Sequence, residues 1–124
     1  MNFETEEEKE IKKICFSENG YYFASCTEES NTVSIWDLRK QKVIREITLP
    51  GDNKVNNIDF DNTGNYLGIC SSLPMLYNLK SFEMICDFDK ENKNCNNMVF
   101  DNDMDFFMSS TTEGIVSAHV LIDN

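Results

Sequence analysis

IKKICFSENGYYFASC occupies residues 11–26, and the same pattern recurs as VNNIDFDNTGNYLGIC at residues 55–70 and as CNNMVFDNDMDFFMSS at residues 95–110. The three stretches align without a gap, at offsets of 55 − 11 = 44 and 95 − 55 = 40 residues. Each contains an apolar triplet, a polar turn and a second apolar run. A period of about 40 residues is typical of repeat architectures in which every unit is one supersecondary element.

The polar turns inside the repeats favour strands over helices. Gly20 and Gly64 end two of the turns, and glycine adopts the positive φ that short hairpin loops require. Met104 takes that place in the third copy, so we expect its turn to be less tightly specified. Third strands are predicted at residues 33–38, 74–79 and 116–121, and fourth strands only at 43–47 and 84–88.

The repeat therefore predicts an all-β chain, a partial β-propeller with two four-stranded blades and a three-stranded remainder. We divide the chain into an acidic lead or truncated linker at residues 1–10, a first blade at 11–54, a second blade at 55–94 and an incomplete last blade at 95–124. No segment has a convincing apolar period of 3.6 residues.

The composition excludes several classes of function. The chain has 124 residues with 11 Lys and Arg against 22 Asp and Glu, a formal charge of 11 − 22 = −11, which opposes direct binding to nucleic acid. No apolar run approaches the roughly 18 residues of a membrane span. The five cysteines include no CxxC pair, which argues against zinc and against a disulfide framework. We therefore expect no cofactor, no metal, no membrane partner and a reducing compartment, nuclear or cytoplasmic.

The stretch Thr32–Arg39, TVSIWDLR, together with FSENGYYFAS at residues 16–25, resembles the WD repeat. In that family the indole of the third strand hydrogen-bonds a Ser or Thr of the second strand, in a network with a His and an Asp. The resemblance implies that the Trp36 indole hydrogen-bonds Ser25 or Thr27, with Glu28 or Glu29 in place of the Asp. The family's His has no counterpart, because no His precedes any of the repeats. The implied structural positions are Ser25, Thr27, Trp36, Asp37, Gly20 and Gly64.

A more specific resemblance is to the last blades of the pre-mRNA-processing factor nineteen family, the U-box ubiquitin ligases of the spliceosome. The stretches that carry it are WDLRK at residues 36–40, VNNI at 55–58, FD at 60–61 and GNYLG at 64–68. Membership would imply a nuclear, spliceosomal and ubiquitin-ligase context. Because no U-box occurs within these residues, we expect the chain itself to be no enzyme.

Three features that could suggest chemistry are better explained by the repeat. The stretch 59–64 begins like a calcium loop, but Cys70 stands where the bidentate Glu is needed, which favours a solvated turn. His119 is the only histidine and takes the Trp position of its repeat, as Tyr77 does in the second. We therefore expect both to be packing residues, in blades that rely more on apolar packing than on polar networks. The cysteines fall at core positions of the strands.

Binding is the function that a rigid stack of blades serves, through its loops. We predict a protein-interaction module that recruits partners or substrates to a larger complex, with the remaining propeller blades supplied in cis or in trans. The alternative is an incomplete gene product or structural remnant without independent function. The loops that join second to third strands and fourth to first strands share one edge of a propeller, and the candidate interaction residues there are Glu28, Glu29, Asp52, Asn53, Lys54, Lys90, Lys93 and Glu113.

Overall fold

The structure is a computed structural model that describes residues 3, 10–18, 20–27, 30–49, 54–85, 94–101 and 106–120. These ranges contain eleven strands and no helix, which confirms the all-β prediction. The strands are β1 (Ile11–Phe16), β2 (Tyr22–Thr27), β3 (Thr32–Asp37), β4 (Lys42–Thr48), β5 (Asn57–Phe60), β6 (Tyr66–Cys70), β7 (Pro74–Asn78), β8 (Glu83–Ile85), β9 (Cys95–Phe100), β10 (Phe106–Thr111) and β11 (Val116–Val120).

The strands form three antiparallel sheets, which we call blades 1, 2 and 3. Blade 1 has the order β1-β2-β3-β4, blade 2 has β5-β6-β7-β8, and blade 3 has β9-β10-β11. Within each sheet the strands pair in the order of the sequence, as expected of strands joined by short loops. The four, four and three strands agree with the predicted partial propeller. The exact residue ranges of the three repeats remain our own division of the chain.

The turn between the first and second strands is built alike in blades 1 and 2. Gly20 and Gly64 have φ of 76° and 74°, and the backbone N–H of each donates to the residue three positions earlier, Ser17 or Asp61, at 3.0 and 3.3 Å. Positive φ is costly for a side chain with a Cβ, which explains the glycine at both positions. The third turn, at residues 102–105, lies outside the described residues.

The core lies between the blades. One buried cluster joins the facing sides of blades 1 and 2, and includes Cys15, Ala24, Ile35, Ile58 and Tyr77. A second cluster joins blades 2 and 3. Its buried members are Cys70, Leu76, Cys95, Met98 and Phe107. Each sheet therefore covers its apolar face with the next sheet along the chain, as blades of a propeller do.

The turn between the third and fourth strands depends on a side-chain oxygen. The Asp37 carboxylate accepts the backbone N–H groups of Arg39 and Lys40 at 2.8 and 2.9 Å. In blade 2 the Asn78 amide oxygen accepts those of Lys80 and Ser81 at 2.8 and 3.1 Å. Asp37, which follows Trp36 in the sequence, is thus a turn residue. Its neutral counterpart Asn78, at 37 + 41 = 78, supports the same turn in blade 2.

We expect Asp37 to make stability depend on pH in the acid range. The backbone N–H of Lys40, with that of Arg39, holds the pKa of the Asp37 carboxyl below its ordinary value of 3.8. Because the pKa is lower in the folded state, the ionised Asp37 stabilises the fold. This stabilisation is fully present above the unfolded pKa and is lost as the pH falls from there through the folded pKa. Asp37→Asn should remove this loss, and Asn78→Asp should add a similar one. Urea midpoints measured at pH 7 and across pH 4 to 2 check both; an unchanged acid dependence in Asp37→Asn would contradict the assignment.

Candidate interaction surface

Blade 1 is organised around the single tryptophan. The Trp36 Nε1–H donates to Ser25 Oγ at 3.0 Å, so Ser25 rather than Thr27 is its partner. The indole stacks on the Phe23 ring, with centroids 5.4 Å apart and planes at 6°. Trp36 is 4% exposed. The residues predicted to replace the Asp of the family network, Glu28 and Glu29, lie outside the described part of the chain.

Phe3 contributes to the same site, which sequence reasoning missed. Its ring meets Phe23 edge-on at 5.1 Å and Trp36 edge-on at 5.6 Å. Phe3 precedes Ile47 by 47 − 3 = 44 residues, the offset of the first repeat, and Ile47 lies in the core between blades 1 and 2. That offset was the available signal. At least one residue of the acidic lead is therefore half-buried against blade 1.

Blade 3 keeps a polar pair where apolar packing was predicted. His119 Nε2 and Ser109 Oγ are 2.8 Å apart and buried, and the imidazole stacks on Phe107 at 4.6 Å. The pair repeats the Trp36–Ser25 geometry, since Ser109 and Ser25 occupy one position of the repeat. We predicted that this blade relies more on apolar packing than on a polar network, and the structure differs at this position, because the imidazole has a ring nitrogen that reaches the Ser109 hydroxyl. In blade 2 the corresponding residues are Tyr77 and Ile69, both in the apolar core.

The calcium-like stretch is part of the second turn. Asp61 is 2% exposed, and its carboxylate accepts the backbone N–H groups of Thr63 and Tyr66 at 3.0 and 2.9 Å, as well as the Thr63 hydroxyl. These bonds use both carboxylate oxygens to close the turn. The stretch is thus a hydrogen-bonded turn, with its carboxylate buried instead of solvated. Among the residues the structure describes, no group of three or more His, Cys, Asp or Glu is placed to hold a metal ion.

The four described cysteines are buried free thiols. Burial, with the nearby Asp59 carboxylate, raises the pKa of the Cys15 thiol to about 12. A hydrogen bond with Cys95 and burial raise the pKa of the Cys70 thiol. Because the thiolate is the nucleophile, these two side chains are unsuited to covalent chemistry at neutral pH. They pack as small apolar residues, as the repeat predicts.

Hydrogen bonds join the blades at the edge that carries the predicted interaction loops. The Val55 N–H donates to the Ser30 carbonyl at 3.0 Å. Asn56 links blades 2 and 3, because its N–H donates to the Cys70 carbonyl at 2.7 Å and its Nδ2 to the Cys95 carbonyl at 2.9 Å. No sequence signal pointed to Asn56, whose role depends on a neighbouring blade. We call this edge the loop edge.

Two of the predicted interaction residues are described, and both lie exposed at the loop edge. Lys54 precedes the Val55 contact, and Glu113 lies in the β10–β11 turn, where its N–H donates to Thr111 Oγ1 at 3.3 Å. The Thr112 N–H donates to the Asn94 carbonyl at 3.2 Å, which joins the neighbouring loop of blade 3. The other six, Glu28, Glu29, Asp52, Asn53, Lys90 and Lys93, lie outside the described ranges.

The fold and the Trp36 site together define a class of protein. The family model described as "WD domain, G-beta repeat" matches residues 2–37, which include Phe3, β1, β2 and β3. Residues 2–37 therefore match a WD repeat, and the three sheets have the arrangement of a partial propeller. Domains of this kind are non-catalytic and typically mediate protein–protein interactions. The part of the chain that the structure describes contains no helix long and apolar enough to cross a membrane.

Comparison with curated proteins points to particular relatives. The chain is 40% identical over 72 residues to pre-mRNA-processing factor 19 homolog 2 of Arabidopsis thaliana, and 40% identical over 77 residues to pre-mRNA-processing factor 19 of Dictyostelium discoideum. It is 27% identical over 109 residues to pre-mRNA-processing factor 19 of Schizosaccharomyces pombe. These matches cover 58%, 57% and 86% of this chain, but only 13%, 14% and 22% of the relatives.

Proposed function

We propose that the chain is a protein-interaction module of a WD-repeat propeller, and that it recruits partners or substrates to a complex of pre-mRNA processing. The observation that supports this most is the loop edge, where hydrogen bonds of Ser30, Val55 and Asn56 join successive blades next to the predicted loops. Groups held in place before binding lose little entropy when they bind, which suits a recruiting surface. The relatives' names supply the context of pre-mRNA processing.

The finer parts of the proposal follow from the same relatives and from the family resemblance. A nuclear location is expected of a factor that acts on pre-mRNA, and a ubiquitin-ligase complex is the assembly that the family resemblance implies. In that assembly the blades would present partners or substrates, and the ligase chemistry would belong to a U-box outside these residues. Partners are expected to be proteins, since the charge of −11 opposes phosphate backbones.

The loop edge can be tested in the native protein that contains this chain. Lys54→Ala with Glu113→Ala should lower the recovery of at least one partner roughly 5-fold or more, as loss of interface hot spots does. Lys80→Ala with Glu83→Ala, at the opposite edge of blade 2, is the matched control, because both side chains are exposed there. Partners are counted by quantitative mass spectrometry after affinity capture.

The remaining loop residues extend the test to the full predicted set. Alanine at Glu28, Glu29, Asp52, Asn53, Lys90 and Lys93 completes the scan. Unchanged recovery of every partner across the whole scan would contradict the proposal that the loop edge binds partners, and would favour the structural-remnant alternative.

A further inference from the structure

Two buried thiols meet at the junction of blades 2 and 3. Cys70 ends β6 and Cys95 begins β9, and both side chains belong to the cluster that joins the two blades. Cys70 is 2% exposed and Cys95 is fully buried. The Cys70 S–H donates a hydrogen bond to Cys95 Sγ, which also lies 3.8 Å from the Asn97 carbonyl oxygen. The two sulfur atoms are therefore hydrogen-bonded across a boundary between blades.

Asn56 holds the backbones of the two cysteines close together. Its N–H donates to the Cys70 carbonyl at 2.7 Å, and its Nδ2 donates to the Cys95 carbonyl at 2.9 Å. Both carbonyls thus lie within the reach of one asparagine. A disulfide needs Cα atoms roughly 4.4–6.8 Å apart. Two chain segments held this close, with their sulfur atoms already hydrogen-bonded, need little backbone movement to be bridged.

The same contact recurs between blades 1 and 2 without the second thiol. Cys26 and Val55 are the repeat equivalents of Cys70 and Cys95, at 70 − 44 = 26 and 95 − 40 = 55, and both are buried in the first cluster. A hydrogen bond to the Val55 carbonyl recurs as well, from Lys12 Nζ at 3.4 Å. Valine at position 55 shows that an apolar side chain suffices for packing here. The second thiol between blades 2 and 3 is therefore not needed for the fold.

The hydrogen bond gives the two thiols different reactivity. Accepting the Cys70 S–H holds the pKa of the Cys95 thiol below its ordinary value of 9.0, whereas the pKa of the Cys70 thiol is raised. Cys95 is therefore the nucleophile of the pair, and Cys70 keeps its proton. Cys15 differs from Cys95, because burial raises the pKa of its thiol to about 12 and leaves almost no thiolate at neutral pH.

We propose that Cys70 and Cys95 form a reversible disulfide, which links blade 2 covalently to blade 3 when hydrogen peroxide reaches the junction. The Cys95 thiolate attacks one peroxide oxygen, the O–O bond breaks, hydroxide leaves, and Cys95 becomes a sulfenic acid. This oxidation removes the thiolate whose hydrogen bond holds the proton on Cys70. The Cys70 sulfur then attacks the Cys95 sulfur, the S–O bond breaks, and the hydroxyl leaves with the Cys70 proton as water. The two thiols lose the two electrons that reduce the peroxide.

The disulfide closes a segment that contains two of the predicted interaction residues. Residues 71–94 lie between the two cysteines and include Lys90 and Lys93. A cross-link restricts both the unfolded chain and the locally opened states of the bridged segment. The oxidised chain should therefore unfold at a higher urea concentration, and the β9–β11 amides should exchange more slowly. A thiol reductant should reverse both effects.

Peptide mapping of the 124-residue chain tests the pairing, because trypsin separates the two cysteines. One tryptic peptide, residues 55–80, has Cys70 as its only cysteine, and another, residues 94–124, has Cys95. The reduced chain is treated with hydrogen peroxide at neutral pH, the remaining thiols are alkylated, and the digest is analysed by mass spectrometry with and without dithiothreitol. We expect the two peptides to be joined with the loss of two hydrogen atoms, and dithiothreitol to separate them.

The thiols of Cys15 and Cys26 provide an internal comparison. They lie at diagonal positions of the paired strands β1 and β2, and both fall in the tryptic peptide of residues 14–39. Because the Cys15 thiol rarely ionises, a link between these two should form at least roughly 10-fold more slowly than the link between Cys70 and Cys95.

Replacing Cys70 removes the thiol that traps the sulfenic acid. In Cys70→Ala, peroxide should carry Cys95 on to the sulfinic acid and should no longer raise the urea midpoint. Cys26→Ala is the matched control, because it removes a buried thiol at the equivalent repeat position. It should keep both the link and the rise in the urea midpoint.

Emission from Trp36 reports whether the chain stays folded during oxidation. A folded wild-type chain that accumulates no link between the two peptides would overturn the inference, and so would an equally fast link between Cys15 and Cys26. A linked chain whose urea midpoint and blade 3 exchange equal those of the reduced chain would overturn it as well. None of these measurements counts partners, so the failure of this inference and the failure of the proposed recruiting function are distinguishable.

Discussion

Trp36→Ala should lower the free energy of unfolding by about 3–5 kcal/mol, the range found when a buried large aromatic is truncated. The side chain is 4% exposed, stacks on Phe23 and meets Phe3 edge-on. Truncation removes these contacts together, leaves a cavity, and deprives Ser25 Oγ of its donor in a buried site. Since domains of this size are stable by only roughly 5–15 kcal/mol, the loss is a large part of the total.

Urea denaturation followed by far-UV circular dichroism measures the loss, because the variant has no tryptophan. Phe16→Ala is the matched control, an aromatic truncation at a side chain that is 64% exposed, and it should cost no more than about 0.5 kcal/mol. Trp36→Phe should fall between the two, since it retains ring packing and loses the N–H donor. If Trp36→Ala lowers the free energy of unfolding no more than Phe16→Ala does, the packing of the indole does not stabilise blade 1 as proposed.

Gly68→Val should cost about 1–3 kcal/mol, and the loss should be concentrated between blades 2 and 3. The reason is the 2.6 Å distance from a Cβ at this position to Phe100 Cζ, which leaves no room for any side chain unless the ring moves. Phe100 is half-buried in the cluster that joins the two blades, so a displaced ring also loses its packing on Phe107 at 6.0 Å.

Hydrogen exchange of the β9–β11 amides, read beside urea unfolding, locates the effect. Amides of blade 3 should lose protection in Gly68→Val while those of blade 1 keep theirs, since local opening follows local packing. Adding Phe100→Leu should recover part of the loss, and the double-mutant cycle measures the coupling. Met108→Val is the matched control at the same repeat position on an open face and should be nearly neutral. Equal effects of Gly68→Val and Met108→Val would contradict the packing account.

Much of the fold was predictable because the repeat depends on the properties of single residues and their immediate neighbours. Glycine at positions 20 and 64 marks turns that need positive φ, and apolar triplets such as Ile58 and its neighbours mark half-buried strands. These signals depend on a residue and its immediate neighbours, so they can be read from one sequence. They predicted sheets of four, four and three strands, which the structure confirms.

The candidate site was less predictable, because its parts come from separate blades or from a choice among near-equivalent residues. The choice between Ser25 and Thr27 required the geometry of the indole. The His119–Ser109 pair was missed, because a hydrogen bond between these side chains depends on a serine ten residues away that faces the imidazole only across two paired strands. Asn56 contacts carbonyls that are 14 and 39 residues away, at Cys70 and Cys95, and nothing local specifies that reach.

The sequence alone predicted three related units of four, four and three strands, with turn glycines in the first two units and a tryptophan in the first. Those features follow from φ preferences and alternation along single strands, which are local properties. Only the tertiary structure decided which of the equivalent repeat positions are buried and which are exposed. Phe16, Phe60 and Phe100 are the same residue type at one repeat position, yet the first is open and the others are packed or half-buried. Burial depends on which sheet lies opposite, and that contact exists only once separate blades are stacked.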